Sequence, residues 1–267
     1  MRPGVLIIWF LAVAIEILFP LSVIFWFQRR YRVQWRAFLY GALVFVIFQM
    51  FTRIPVVGLV NRALWPKVAG VTLLQVVYFF GLALTAGLCE SIGRWVGYRW
   101  FFRGRLAYSW ANGVAYGLGH GGTESALLVG LGQLATIFQA VQLTAQTPQD
   151  IQKLYSPELA KQLLALREQF LSMSWEQPLL GAVERLLTLS FHVGMSLLVL
   201  QVFVRGKARW LWLAVLLHTL VDFSAPAMLH LGKVPAWGVE LYLTFWAALG
   251  IWLAWRFRPQ VGEELSS

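Results

Sequence analysis

Apolar residues fall in seven long blocks along this chain, at about 5–27, 37–54, 69–93, 107–143, 179–204, 209–230 and 236–256, with short polar stretches between them. A helix that crosses a bilayer needs about 20 mainly apolar residues, so each block predicts one crossing. The first is too long for a removable signal peptide and has no small-residue cleavage site after it. The fourth exceeds a single crossing and is expected to continue as helix beyond the membrane. The predicted fold class is all-α: a polytopic membrane helix bundle of about seven transmembrane helices.

The one sizeable polar piece, about 144–178, carries Leu154, Leu159, Leu163, Leu166 and Phe170 at helical spacing, with Lys161, Arg167 and Glu168 at other positions. That pattern predicts an amphipathic outer helix, lying on the membrane or over a site, with a packed connector favoured over a substrate gate. No long internal repeat breaks the chain, and the whole of 1–267 reads as a single integral membrane domain with a frayed tail from Pro259 to Ser267.

Composition agrees with that picture. The chain is 59% hydrophobic and 13% charged, against roughly 25% charged in soluble domains. Its 14 Trp, 8 Tyr and 19 Phe suit a protein that meets two membrane interfaces. The net charge of +10 would suggest nucleic acid only if it formed a basic face on a soluble domain. Here it lies between apolar blocks, so the expected environment is membrane lipid and no nucleic-acid partner is predicted. Cys89 is the sole cysteine, which rules out an intrachain disulfide and a CxxC zinc site.

The basic residues also predict an orientation. Arg29, Arg30, Arg32 and Arg36 follow the first block; Arg94, Arg99, Arg103 and Arg105 the third; Arg205, Lys207 and Arg209 the fifth; Arg256 and Arg258 the seventh. The alternate connections, around Arg53, Arg62 and Lys67 and around Lys233, are poorer. The positive-inside bias then puts the N-terminus outside and the C-terminus in the cytoplasm.

Ionisable residues inside a crossing are costly and must face a partner or a water-filled cavity. Glu16, Glu90, Glu124, His120, Glu184, Arg185, His192, His218, Asp222, His230 and Glu240 are the candidates. His120 and Glu124 are four apart, as are His218 and Asp222, and Glu90 and Arg94, so each pair shares a helix face. Arg185 and His192 are seven apart, two turns of one face. Convergent imidazoles and carboxylates can hold a divalent metal or activate a water directly. Proton-coupled transporters use the same residues, and a bundle can pair them for specificity alone. Spacing leaves hydrolase, transporter and inert scaffold open. Gly113, Gly117 and Gly121, also four apart, predict close approach of a neighbouring helix.

At these residues the chain resembles a known family, the YhfC-type membrane peptidases, and more distantly the CAAX prenyl-protein and bacteriocin-processing proteases and PrsW. Tyr116-Gly-Leu-Gly-His120-Gly-Gly-Thr-Glu124 looks like the GHGGxE signature. Glu90-Ser-Ile-Gly-Arg94, Glu184-Arg185 with Phe191-His192, and His218-Thr-Leu-Val-Asp222 accompany it in order, over about 85–225. The resemblance implies peptide-bond hydrolysis in or near the membrane of a bacterial cell, on a membrane-protein or peptide substrate. It implies catalytic roles for Glu90, Arg94, His120, Glu124, His218 and Asp222. Glu90 would take a proton from water, His120 and His218 would hold that water or a metal, Asp222 would orient His218, and Arg94 would pair with Glu90. A divalent metal ion such as zinc would be held by His120, His192 and His218, although no HExxH is present. The chain departs from the wider protease group at the first motif, where Cys89 and Ser91 flank Glu90 and one acid of a Glu-Glu pair is missing.

Overall fold

The structure, a computed structural model, describes residues 2–259. Residues 260–267, most of the tail expected to fray, lie outside the described residues. The described chain is helical, with no strand among the described residues. Seven helices are long and apolar enough to cross a membrane: α1 Pro3–Tyr31, α2 Trp35–Val68, α3 Thr72–Phe102, α4 Trp110–Ala145, α7 Glu176–Arg205, α8 Arg209–His230 and α9 Ala236–Arg256. Two shorter ones, α5 Pro148–Leu154 and α6 Pro157–Ser172, join α4 to α7.

The helix α7 is the post of the bundle: 67% of its apolar window is buried, against 17–33% for the other six. It packs against α9, α4, α1, α8 and α3, while α3 pairs with α8 and α2 with α4. Most other side chains of the crossings are left facing lipid, as a membrane protein requires.

Glycine sets how closely these helices meet. A Cβ on Gly117 would stand 2.7 Å from the Val193 Cα, and one on Gly121 would stand 2.9 Å from the His192 Cβ. The predicted glycine face of α4 therefore lies on α7, and it draws the His120 helix onto the His192 helix. Gly119, on another face of α4, meets the Phe38 backbone of α2.

Two details differ from the sequence reading. The second apolar block ends near 54, but α2 continues to Val68 through a π-helical stretch, Val46–Arg53. Arg53 and Arg62 are therefore helical residues rather than connection charges. Pro55, just after the π segment, interrupts the hydrogen-bond ladder there without ending the helix. The polar piece likewise forms two helices instead of one. Ser156 accepts from the Leu159 N–H and Pro157 opens α6, so the chain restarts there. Phe170 and Ala160 of α6 and Ile151 of α5 pack on Trp9, Val13, Ile137 and Ala140 of α1 and α4. Leu154 and Leu159, predicted on the apolar face, are exposed. This is a packed connector, and none of its residues lines the cavity described below.

Candidate functional site

Glu90 lies on α3, 4% exposed, at the floor of a cavity of about 520 Å³ between α2, α3, α4, α7, α8 and α9. Its two carboxylate oxygens are held from three sides. Oε2 accepts from Arg94 Nη1 at 2.6 Å, one helical turn on, and lies 2.7 Å from His120 Nε2 on α4. Oε1 accepts from Gln49 Nε2 of α2 at 2.6 Å.

Arg94 is fully buried and spends its donors inside the bundle: on Glu90 Oε2, on the Glu90 carbonyl at 2.9 Å, on Ser196 Oγ at 3.1 Å and on His192 Nδ1 at 2.8 Å. A guanidinium can only donate, so His192 Nδ1 accepts and its proton sits on Nε2. That nitrogen lies 3.0 Å from Glu124 Oε2, and Glu124 Oε1 in turn accepts from Arg185 Nη1 at 2.9 Å. Arg185 also donates to its neighbour Glu184. A continuous polar chain thus runs from Gln49 and Glu90 through Arg94, His192 and Glu124 to Arg185.

The structure brings Glu90, Arg94, His120, His192 and Glu124 together as the spacing suggested. His218 stands beside them, its ring centroid 5.6 Å from that of His192, and lines the cavity with Asp222. Its pairing with Asp222 differs from expectation: Nε2 to Oδ2 is 3.6 Å, beyond hydrogen-bond length, and Nδ1 is buried without a partner. The metal-capable group differs as well. Donor atoms of Glu90, His120 and His192 lie within 4.8 Å of one another, and His218 is outside that set. A carboxylate has joined where a third imidazole was expected, because Glu90 reaches across from α3 while His218 turns toward Phe191 at 5.4 Å.

Gln49 was missed by sequence reasoning, which weighed only ionisable groups. It lies in the π-helical part of α2, whose wide turn redirects side chains, as such bulges often do at functional sites. Glu124 opens a second π stretch, Glu124–Gly130, in α4. Arg53 shares Gln49's stretch and donates to the Leu82 carbonyl at 2.9 Å and to Gln49 Oε1 at 3.4 Å, which turns the amide nitrogen toward Glu90.

Beyond Arg94, toward the end of the bundle opposite α5 and α6, the way is closed by Tyr98, Phe102 and Tyr116, all fully buried. The Tyr98 and Tyr116 rings stack at 4.5 Å, and Tyr98 Oη donates to the Ser196 carbonyl. The cavity is therefore blind at its polar end.

The sequence model of the YhfC intramembrane metalloprotease family matches residues 15–243. A protein of Bacillus subtilis (strain 168) described as an uncharacterized membrane protein YhfC is 31% identical over 243 residues, covering 90% of this chain and 91% of that one. This chain belongs to the YhfC family. No solved structure matches it. For a YhfC member the buried Glu90, His120 and His192 are compatible with a metal ion. Two imidazoles and a carboxylate are also the donor set of hydrolytic zinc sites that keep a fourth position open.

Proposed function

We propose that this YhfC protein is an intramembrane peptidase whose reaction is carried by the group around Glu90. One observation carries the reading: Glu90, Arg94, His120 and His192 converge from α3, α4 and α7 at the closed end of a cavity large enough for an extended peptide.

In this reading Glu90 takes a proton from a water that enters beside His192 and His218, and His120 shares that proton through the 2.7 Å contact with Oε2. Arg94 holds the carboxylate and fixes the His192 tautomer. His192 donates to Glu124, so the imidazole ring keeps one orientation. His218 lines the cavity beside His192, where its ring could stabilise charge developing on the substrate carbonyl. Asp222, four residues on, lines the cavity beside it. A zinc ion held by Glu90, His120 and His192 would act as a Lewis acid and lower the pKa of a bound water. Holding it would require the His120 proton to sit on Nδ1, leaving Nε2 free, and Arg94 to release His192 Nδ1.

The chain is further proposed to sit in a bacterial cell membrane as one integral domain, N-terminus outside, so that the cavity opens toward the outer face and the substrate is a membrane-protein or peptide segment. The test is Glu90→Gln in purified protein incubated with a peptide substrate panel. The substitution keeps the shape and the hydrogen bonds of one of the two oxygens, and loss of a general base lowers the rate by about a hundredfold or more. Wild-type turnover by Glu90→Gln would sink the assignment.

A further inference from the structure

Arg53 stands near the middle of α2 and lines the cavity. A charge at that depth in a membrane helix needs a partner. Its hydrogen bonds go to neutral acceptors: the Leu82 carbonyl at 2.9 Å, Thr85 Oγ1 at 3.3 Å and Gln49 Oε1 at 3.4 Å. No carboxylate among the described residues comes within ion-pair distance of it. The other two arginines of the site are spent differently, Arg94 on Glu90 and Arg185 on Glu124 and Glu184. Asp222 of α8 lines the same cavity and feels Arg53 at longer range. It weakens the field of the guanidinium without occupying its N–H groups.

The guanidinium therefore has binding capacity left. It offers five N–H donors in one plane. Nε gives its N–H to Thr85, Nη1 gives one to Gln49 and Nη2 gives one to Leu82. One N–H on each terminal nitrogen is left without a partner among the described residues. Paired N–H groups of a guanidinium form the fork that takes both oxygens of a carboxylate.

We propose that Arg53 is a binding subsite for a carboxylate of the peptide that occupies the cavity, carried by its C-terminus or by an aspartate or glutamate side chain. The proposal rests on the peptidase reading and names its substrate class. Beside Arg53 the wall is apolar, with Ile54, Leu82, Ala83 and Ala86, so the ligand is an apolar segment with one acidic group. A lipid phosphate fits less well. Headgroups lie about 15 Å from the centre of a hydrocarbon core about 30 Å thick, and Arg53 is near the middle of its helix.

Gln49 gives the register. Its Nε2 donates to Glu90 Oε1 at 2.6 Å, and its Oε1 accepts from Arg53 Nη1 at 3.4 Å. Across one planar amide these bonds hold Glu90 Oε1 and Arg53 Nη1 within about 8 Å of each other. An extended chain advances about 3.3 Å per residue, so the carboxylate stands about two residues from the bond presented to Glu90.

The experiment uses Glu90→Gln protein in neutral detergent micelles and a fluorescent apolar peptide with an amidated end. It is compared with the same peptide bearing a free C-terminal carboxylate, and with amidated peptides carrying one glutamate at each position in turn. At least one acidic form is expected to bind about tenfold or more tightly than the neutral one, and which form does so identifies the source of the carboxylate. Arg53→Gln is expected to reduce that ratio to about twofold. Arg53→Lys keeps the charge but loses the fork and is expected to leave about threefold. If Arg53 served only to hold Gln49, its replacement would weaken all the peptides alike and leave the ratio unchanged. Equal affinity of all forms, no measurable binding of any, or a ratio untouched by Arg53→Gln overturns the subsite. Should Arg53→Gln fail to fold, an unchanged ratio in Arg53→Lys overturns it equally. So does an anionic phospholipid that native mass spectrometry finds on the parent protein and not on the Arg53 variants, since it assigns the guanidinium to a headgroup. Cleavage by the wild-type protein is scored separately: carboxylate preference without cleavage removes the peptidase reading and leaves the subsite, whereas cleavage without carboxylate preference does the reverse.

Discussion

Replacing Arg94 by Met tests whether the polar floor is held together as a unit. Arg94 is fully buried and donates to Glu90 Oε2, the Glu90 carbonyl, Ser196 Oγ and His192 Nδ1. Methionine fills much of the volume, so the loss is chiefly electrostatic: a carboxylate 4% exposed loses its cation, and His192 loses the donor that sets its tautomer. Breaking a buried pair by removing one partner costs about 3–5 kcal/mol. Gln49 and His120 still bond Glu90, which places the expected value near the lower figure, about 3 kcal/mol. Adding Glu90→Gln removes the stranded charge, so the double variant is expected to recover about 2 kcal/mol relative to the sum of the singles, as contacting residues do in a double-mutant cycle. Reversible unfolding in mixed micelles, followed by the fluorescence of the 14 tryptophans, measures both quantities. An Arg94→Met protein within about 0.5 kcal/mol of wild type, or strict additivity in the double variant, refutes the reasoning.

Gln49→Leu should leave the bundle folded but free Glu90 Oε1, and turnover of a cleaved peptide should fall by about tenfold or more, with less effect on KM than on kcat; an unchanged kcat would remove Gln49 from the site. Zinc should bind the wild-type protein with almost no net proton release from its ligands, since the neutral His120 ring can carry its proton on the unpartnered Nδ1 while Nε2 binds the metal; calorimetry in buffers of different ionisation enthalpy reads this, and binding to a His120→Ala, His192→Ala protein at wild-type affinity would place the metal elsewhere. In a Cys89→Ala background, cysteines introduced at Arg103 and Gln149 should be labelled from opposite sides of the membrane; labelling from one side would overturn the seven-span topology.

The seven crossings were legible in the sequence because lipid burial is written residue by residue: a block of about 20 apolar positions has few other physical solutions. The Glu90–Arg94 pair was legible for a similar reason, since helix geometry stacks residues four apart, whereas His120 and Glu124, also four apart, find their partners on other helices. The glycine face of α4 could be predicted to meet another helix. That its partner is α7, so that His120 and His192 flank one carboxylate, follows from the packing of the bundle. Tertiary structure alone also recruited Gln49, because no ionisable signal marks it and the π-helical turn that aims it at Glu90 has no clear periodic signature. The same holds for the separation of His218 from the metal-capable group. Spacing gives a residue its face on one helix, but the distances of 2.7 Å from His120 to Glu90 and 3.0 Å from His192 to Glu124 depend on how α3, α4 and α7 are rotated and tilted against each other. The buried Glu16, whose neighbours no local pattern names, meets Gly181 only once α1 is packed on α7.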